Sequence, residues 1–474
     1  MLMILNGKEC DKEKKLDVYS PATGDLIDRV PGADESDIDK AIEGAVSAFD
    51  KWSATPLWQR AGIIMGFLSI VKENEEHLAK TLCLDNGKPI TQARAEIANL
   101  SISVPAFCEK AKHLYDSVVP PGTEKNYERS IQIVKREPLG VIACIIPFNF
   151  PSNLFSQKVI PALLMGNCVL VLPPSGNPLT VMTLCSYLIK AGLPEGVLSC
   201  LVAPGAVKET AVKDKRIRLV TLTGSTATGI RTAKVAADNL TRTALELGGN
   251  DPFIVMEDAD MDLVISELFV GRLVNAGQIC CASKRFLIHK SRVDEFLKKA
   301  SDFISTLKMG DPMEEDTRIG CLINEKAAAK VEEQVRHTIS QGASLYLGGK
   351  RNGAFFEPTI LTNVTGQMDI AKDTEVFGPV IPVIPFDTKE EAIDIANSSV
   401  YGLSSCIFSE NYHTLIEMSG KLQAGNVVLN GASNLRSFEI PFGGKKLSGV
   451  GSEGVMTTFD EMTSPKVITL KNCL

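Results

Sequence analysis

Residues 275–285 read NAGQICCASKR and set two thiols side by side, Cys280 and Cys281. A cysteine works as a nucleophile where it is partly exposed and a nearby base or cation favours its thiolate. Asn275, Gly277 and Gln278, just before the pair, suit a loop in which backbone closely approaches a ligand. The competing expectation is that both thiols are small core hydrophobes. The chain has twelve cysteines and five histidines. They form no C-x-x-C pair and no Cys/His cluster of zinc spacing, so no metal site is expected. Nearly all of the thiols are expected to be reduced and mostly buried, as in a cytoplasmic protein.

A reactive loop needs a frame. The 474 residues are 44% hydrophobic and 23% charged, enough for two or three globular domains. A net charge of −7 argues against a nucleic acid or an anionic membrane as partner. The start, MLMILNGKECDKEKK, has no basic region ahead of its apolar residues and does not read as a secretory signal. Val159 to Ile189 carries no charge, but prolines and glycines from Pro161 to Pro178 break it into helix, turn, strand, turn and helix. Helices are expected at 34–52, 56–86 (ended by Asn86-Gly87-Lys88-Pro89) and 92–115. After a Pro-rich turn near Ser117, alternating sequence predicts a protruding hairpin.

From residue 140, apolar runs at 141–146, 169–172, 198–202 and 218–223 alternate with helical segments near 154–165, 179–191 and 226–238. This is the pattern of a parallel sheet covered by helices, which binds nucleotides at the carboxyl ends of its strands. Past 246–255 the alternation restarts, with strands expected at 285–289, 344–349, 380–386, 404–408 and 426–431. The tail 464–474 alternates like an edge strand that pairs with something, such as a neighbouring subunit.

The segment around Cys280 resembles the catalytic loop of the aldehyde dehydrogenase superfamily, in which glycine and glutamine stand three and two residues before the nucleophile. LELGG (245–249) resembles the family's glutamate motif and puts Glu246 34 residues before Cys280. PFNFP (147–151) resembles the motif whose asparagine is Asn149. TGS (223–225), EVFGPV (375–380) and PFGGKKLSGVGSEG (441–454) follow in the family's order, so the resemblance spans essentially the whole chain.

The resemblance implies Cys280 as nucleophile and Cys281 as a variable neighbour. It implies the Asn149 amide and the Cys280 N–H as donors to the oxyanion, and Glu246 as the base that activates water against a thioester. Branches that pass the acyl group to coenzyme A can dispense with such a base, so Glu246 favours release of a free carboxylate. It further implies NAD or NADP, with Ile145, Ile146, Pro147 and Phe148 beside the nicotinamide and its ribose. Gly205, Gly224, Ser225, Leu247 and Gly248 would stand near the rest of the dinucleotide, with Glu375 on the nicotinamide ribose and Phe377 packed near it.

One stretch departs from the family. Where most members carry a lysine and a glutamate that hold the adenosine ribose, this chain reads VLVLPPSGNPL (169–179). Leu172 or Pro173 takes the lysine position, and Ser175 or Gly176 the glutamate position. Losing the carboxylate removes its repulsion of a 2′-phosphate, so NADP is expected to be tolerated or preferred.

The lactaldehyde and succinate-semialdehyde dehydrogenase group is the nearest resemblance. Arg436, before the expected site loop, is a candidate for an anionic or hydroxyl-bearing substrate tail. The expected fold is α/β. A doubly wound, Rossmann-like cofactor domain takes 1–118 and 142–246, with a return segment at about 431–460. An α/β catalytic domain takes 247–430, and 119–141 with 461–474 form a β oligomerisation arm. A homodimer or homotetramer is implied. The rival readings are a sulfo- or phospho-aldehyde dehydrogenase, a coenzyme A-acylating enzyme, and a non-catalytic binding protein on the same fold.

Overall fold

The computed structural model describes residues 1–474 and contains two large sheets, a three-stranded sheet and three two-stranded ribbons. Five parallel strands run through the first, in the order Leu198–Cys200, Cys168–Leu172, Val141–Ile145, Ile217–Thr223 and Arg242–Glu246. The chain enters this set in the middle, at Val141–Ile145, steps outward twice, then returns to the other side. A crevice therefore opens at the carboxyl ends of Val141–Ile145 and Ile217–Thr223, the kind of switch point at which doubly wound sheets bind ligands. The three strands Cys168–Leu172, Leu198–Cys200 and Asp251–Val255 are buried along their whole length. Helices on both faces account for that burial.

The second sheet runs Ser344–Leu347, Thr359–Thr362, Val380–Phe386, Ser283–His289, Asp251–Val255, Ser404–Phe408 and Asn426–Leu429, parallel except at the first pair. Each large sheet packs around its own hydrophobic core. The link between them positions the chemistry. Arg242–Glu246 ends at the carboxyl edge of the first sheet, and Gly248-Gly249-Asn250 carries the chain straight into the amino edge of the second. Cys280 sits at that same amino edge, just before Ser283–His289.

Thr463–Leu470 pairs antiparallel with Ile131–Pro138, which pairs with Ser117–Val119. The hairpin thus starts at Ser117, where the change of pattern was expected, and the last strand starts at Thr463, one residue before the expected 464. The helix expected over 56–86 is two, Leu57–Glu73 and Glu75–Asn86, because Asn74 at φ −123° leaves the helical region between them. That expected over 92–115 is also two, Ile90–Ala98 and Leu100–Lys112. The expected stop at Gly87 is real: its φ of +79° is left-handed, and a Cβ there would stand 2.3 Å from Cys321 Sγ. The uncharged stretch forms helix Pro151–Leu164, strand Cys168–Leu172 and helix Leu179–Lys190, and no helix is long and apolar enough to cross a membrane.

Candidate active site

The loop that carries Cys280 is strained and tightly held. Asn275, Ala276 and Gly277 are all left-handed, with φ of 53°, 52° and 76°. Asparagine tolerates this, but alanine does so at about 1–2 kcal/mol. Glycine is required at the third position, since a Cβ on Gly277 would lie 2.4 Å from the Gly378 carbonyl. Side chains from three directions fix the turn. The Asn275 N–H donates to Gln92 Oε1 at 2.8 Å, and the Asn275 amide donates to the Asn149 carbonyl at 3.0 Å. Gln278 donates to the Asn275 carbonyl at 3.0 Å and accepts the Ile323 N–H at 2.8 Å. Lys284 Nζ donates to the Cys280 carbonyl at 2.5 Å. The glutamine two residues before the thiol is therefore a brace for the loop.

Asn149 lies just ahead of helix Pro151–Leu164, whose N-terminal dipole favours negative charge beside it. Its amide nitrogen donates to the Gln278 carbonyl at 2.9 Å, which leaves the second N–H free. The backbone N–H of Cys280 likewise donates to no group of the chain. Two donors of this kind on one wall suit an oxyanion. The Asn149 backbone is anchored by Lys88, whose Nζ donates to its carbonyl at 2.8 Å, lies 3.8 Å from the Phe150 ring centroid and pairs with buried Glu96. Glu96 also accepts from the Ser152 hydroxyl at 2.7 Å.

Glu246 ends its strand almost fully buried, and its Oε2 has no partner. The glycines after it are closely approached. A Cβ on Gly248 would meet Glu375 Oε2 at 2.4 Å, and one on Gly249 would meet the Cys280 carbonyl at 2.8 Å. Burial first, and then the nearby Glu453 carboxylate, push the Glu246 carboxyl well above the usual carboxylate range, while Lys158 opposes them. Lys158 is itself buried. It pairs with Glu453 and donates to Thr221 Oγ1 at 3.1 Å. Lys88, Glu96, Lys158 and Glu453 were not expected from sequence. The available signal was a lysine inside an otherwise uncharged run, as at Lys158.

Two cavities meet at the thiol. One, of about 280 Å³, is lined by Cys280, Cys281, Glu246, Asn149, Arg436 and Glu453, with Phe150, Phe438 and Phe442 among its apolar walls. The other, of about 450 Å³, occupies the switch-point crevice and is lined by Pro147, Phe148, Gly224, Ser225, Leu247, Gly248, Glu375 and Phe377. Cys280, Asn149 and Thr223 belong to both.

Of the other residues expected at a dinucleotide, Ile145 packs against Leu222, Leu245 and Leu247 beside the crevice. Ile146 does not reach it, because its side chain is in the core and its N–H is taken by the Leu172 carbonyl. Pro173, Ser175 and Gly205 do not line the crevice, although Pro174, between the first two, does. The crevice nevertheless suits a dinucleotide. The Phe148 and Phe377 rings meet edge to face at 5.9 Å, Glu375 offers a carboxylate, and the Thr226–Ala237 helix begins there with the N–H groups of Thr226 and Ala227 uncommitted.

Cys280 is half-buried and Cys281 buried. A hydrogen bond with Cys281, and then burial, hold the Cys280 thiol well above its ordinary range, while Lys284 and Arg436 oppose them.

Residues 8–468 match the sequence pattern of the aldehyde dehydrogenase family. The chain is 34% identical to a 3-sulfolactaldehyde dehydrogenase of Pseudomonas putida, over 97% of this chain and 94% of that protein. It is 35% identical to a lactaldehyde dehydrogenase of Methanocaldococcus jannaschii, over 99% and 100%. The crystal structure of aldehyde dehydrogenase 21 from Physcomitrella patens, in complex with the reaction product succinate, superposes with a TM-score of 0.95 at 33% identity, over 99% of this chain and 98% of that one.

Proposed function

Because the chain belongs to the aldehyde dehydrogenase family and so oxidises small aldehydes with NAD or NADP, we propose that its substrate is a short aldehyde with an anionic tail. We propose further that the product is the free carboxylate, released from a thioester on Cys280, and that NADP serves at least as well as NAD. One observation carries this reading: Cys280 and Asn149 stand on the wall shared by a nucleotide-sized crevice and a smaller chamber that holds Arg436 and Glu246.

The residues divide the work as follows. The Cys280 sulfur loses its proton to solvent and adds to the aldehyde carbon, and the oxygen that becomes negative receives the free N–H of Asn149 and that of Cys280. A nicotinamide dinucleotide held in the crevice by Phe148, Glu375 and Phe377 would supply the acceptor for the hydride that leaves this carbon. The carbon–oxygen double bond re-forms and leaves an acyl group on Cys280. Glu246, on the wall of the same chamber, takes a proton from water as the water oxygen attacks the acyl carbon. The sulfur departs and the carboxylate is free. Glu453 and Lys158 beneath Glu246 bias its proton affinity in opposite directions.

Arg436 supports the choice of tail. Its guanidinium carbon lies 4.0 Å from the Phe442 ring centroid, and no carboxylate pairs with it. An unpaired cation in a small chamber favours an anion. Asn153, Gln157 and Asn434 line the same chamber, and each has an uncommitted side-chain oxygen. Their side chains make this wall of the chamber polar, as suits a hydroxylated three-carbon substrate. The names of the relatives, lactaldehyde and sulfolactaldehyde dehydrogenases, are of that chemistry.

Arg436→Ala is expected to raise KM for succinate semialdehyde and 3-sulfolactaldehyde by about 10–100-fold with little change in kcat, and to leave neutral propanal unaffected. An unchanged KM for the acidic aldehydes would make Arg436 a structural residue. The wider reading is tested by a panel of lactaldehyde, glycolaldehyde, succinate semialdehyde and 3-sulfolactaldehyde with NAD and NADP in parallel, and product analysis with and without coenzyme A. Free acid at a rate indifferent to coenzyme A is expected. Acyl-coenzyme A as product would move the chain to the acylating branch. No turnover anywhere in the panel would favour a binding protein.

A further inference from the structure

Beside the crevice, against the back of the Pro173-Pro174 turn, stands a cation that the chemistry above does not use. The chain leaves strand Cys168–Leu172 through Pro173-Pro174-Ser175-Gly176, and Pro174 lines the crevice. No residue of this turn is charged. Leu172, one of the two positions open to the family's lysine, is fully buried. The neighbouring strand, Leu198–Cys200, leads into helix Gly205–Lys213. From the first turn of that helix Lys208 reaches across, and its Nζ donates to the Pro173 carbonyl at 2.5 Å. The turn and the helix are tied a second time by Ser175 Oγ, which donates to the Ala203 carbonyl at 2.8 Å.

Lys208 has no carboxylate partner. The next residue, Glu209, is engaged by Lys213 and Arg231 instead. A single bond to Pro173 leaves the ammonium two further N–H donors. Burial pushes it down to about 8, which marks a desolvated cation without a compensating anion. A cation in that condition gains most from a compact dianion such as a phosphate monoester. Beside it the turn offers a hydroxyl, Ser175, and no carboxylate to repel one.

We propose that Lys208 recognises the 2′-phosphate of NADP(H), supplying from a neighbouring helix the charge that the Pro173-Pro174 turn lacks. This deepens the proposed function and rests on the reading of the crevice as a dinucleotide site. The arrangement selects on the adenosine side alone, so it is separable from Cys280, Glu246 and the aldehyde chamber.

Calorimetry with 2′,5′-ADP and 5′-AMP, and fluorescence titration with NADPH and NADH, test this without turnover. The parent is expected to bind 2′,5′-ADP at least about tenfold more tightly than 5′-AMP. Lys208→Met is expected to remove most of that ratio while leaving NADH affinity within about threefold. Equal losses for NADH and NADPH would show that Lys208 only braces the turn, and an unchanged preference would also overturn the assignment. Should the variant fail to fold, acylation of the parent at pH 8 followed by peptide mapping decides. Protection of Lys208 by 2′,5′-ADP but not by 5′-AMP supports the proposal, and equal or absent protection contradicts it. If neither NADH nor NADPH binds the parent, the dinucleotide reading itself has failed and the lysine assignment falls with it.

Discussion

Cys280→Ala removes aldehyde-dependent NAD(P)H formation, by about 10⁴-fold or more in kcat, because no other group at the junction of the two cavities can hold the acyl carbon. The loss is chemical. NADPH binding is expected to survive, since the crevice is built by Phe148, Glu375, Phe377 and the start of the Thr226–Ala237 helix, and Cys280 only closes one end of it. Cys281→Ser is the control. Cys281 is buried, lines the substrate chamber and not the crevice, and is expected to keep most of the activity. Stopped-flow absorbance at 340 nm with both variants measures this. Retained activity in Cys280→Ala, or its loss in Cys281→Ser alone, would reverse the two roles.

Glu246→Gln separates the two halves of the reaction. Acylation does not need the carboxylate, so about one equivalent of NAD(P)H is expected in a rapid burst. Steady-state turnover then falls by about 10²–10⁴-fold, the usual worth of a positioned base. The pH profile gives an independent sign. Burial and Glu453 raise the carboxyl well above its ordinary range, and the base works only when ionised. Parent turnover limited by hydrolysis should therefore fall as pH drops through a limb placed higher than a normal carboxylate, and Glu246→Gln should lack that limb. A variant that loses its burst together with its steady state would tie Glu246 to the first half-reaction instead.

Much of the frame was legible in the sequence. The strands at Val380–Phe386 and Ser404–Phe408 coincide with apolar runs, because strands covered on both faces leave a continuous signal. The strand Asp251–Val255 was hidden inside a motif, and Met3–Leu5 and Lys8–Cys10 are too short for any periodicity to register. Within the site, Cys280, Glu246, Asn149 and Arg436 were singled out from motifs, and the structure gathers all four around one chamber.

The groups that hold them in place were not legible. Lys158 and Glu453 lie 295 residues apart, and Lys88 meets the Asn149 carbonyl from 61 residues away. Such pairs have no local pattern, since only the fold makes them neighbours. The left-handed Ala276 is similar: alanine carries no mark of positive φ, and the strain is imposed by the bonds from Gln92 and Gln278. Lys208 was overlooked for the same reason. A search of the turn at 173–176 for a cation does not look at the helix that packs over it.

The central claim is that the acyl group is carried by Cys280 and released by Glu246. The direct measurement is peptide mass spectrometry of Glu246→Gln, quenched in acid after one turnover of succinate semialdehyde with NADP. The account predicts the 275–285 stretch bearing one acyl group, located on Cys280. An unmodified stretch despite a full burst of NADPH, or an acyl group on Cys281, would contradict it.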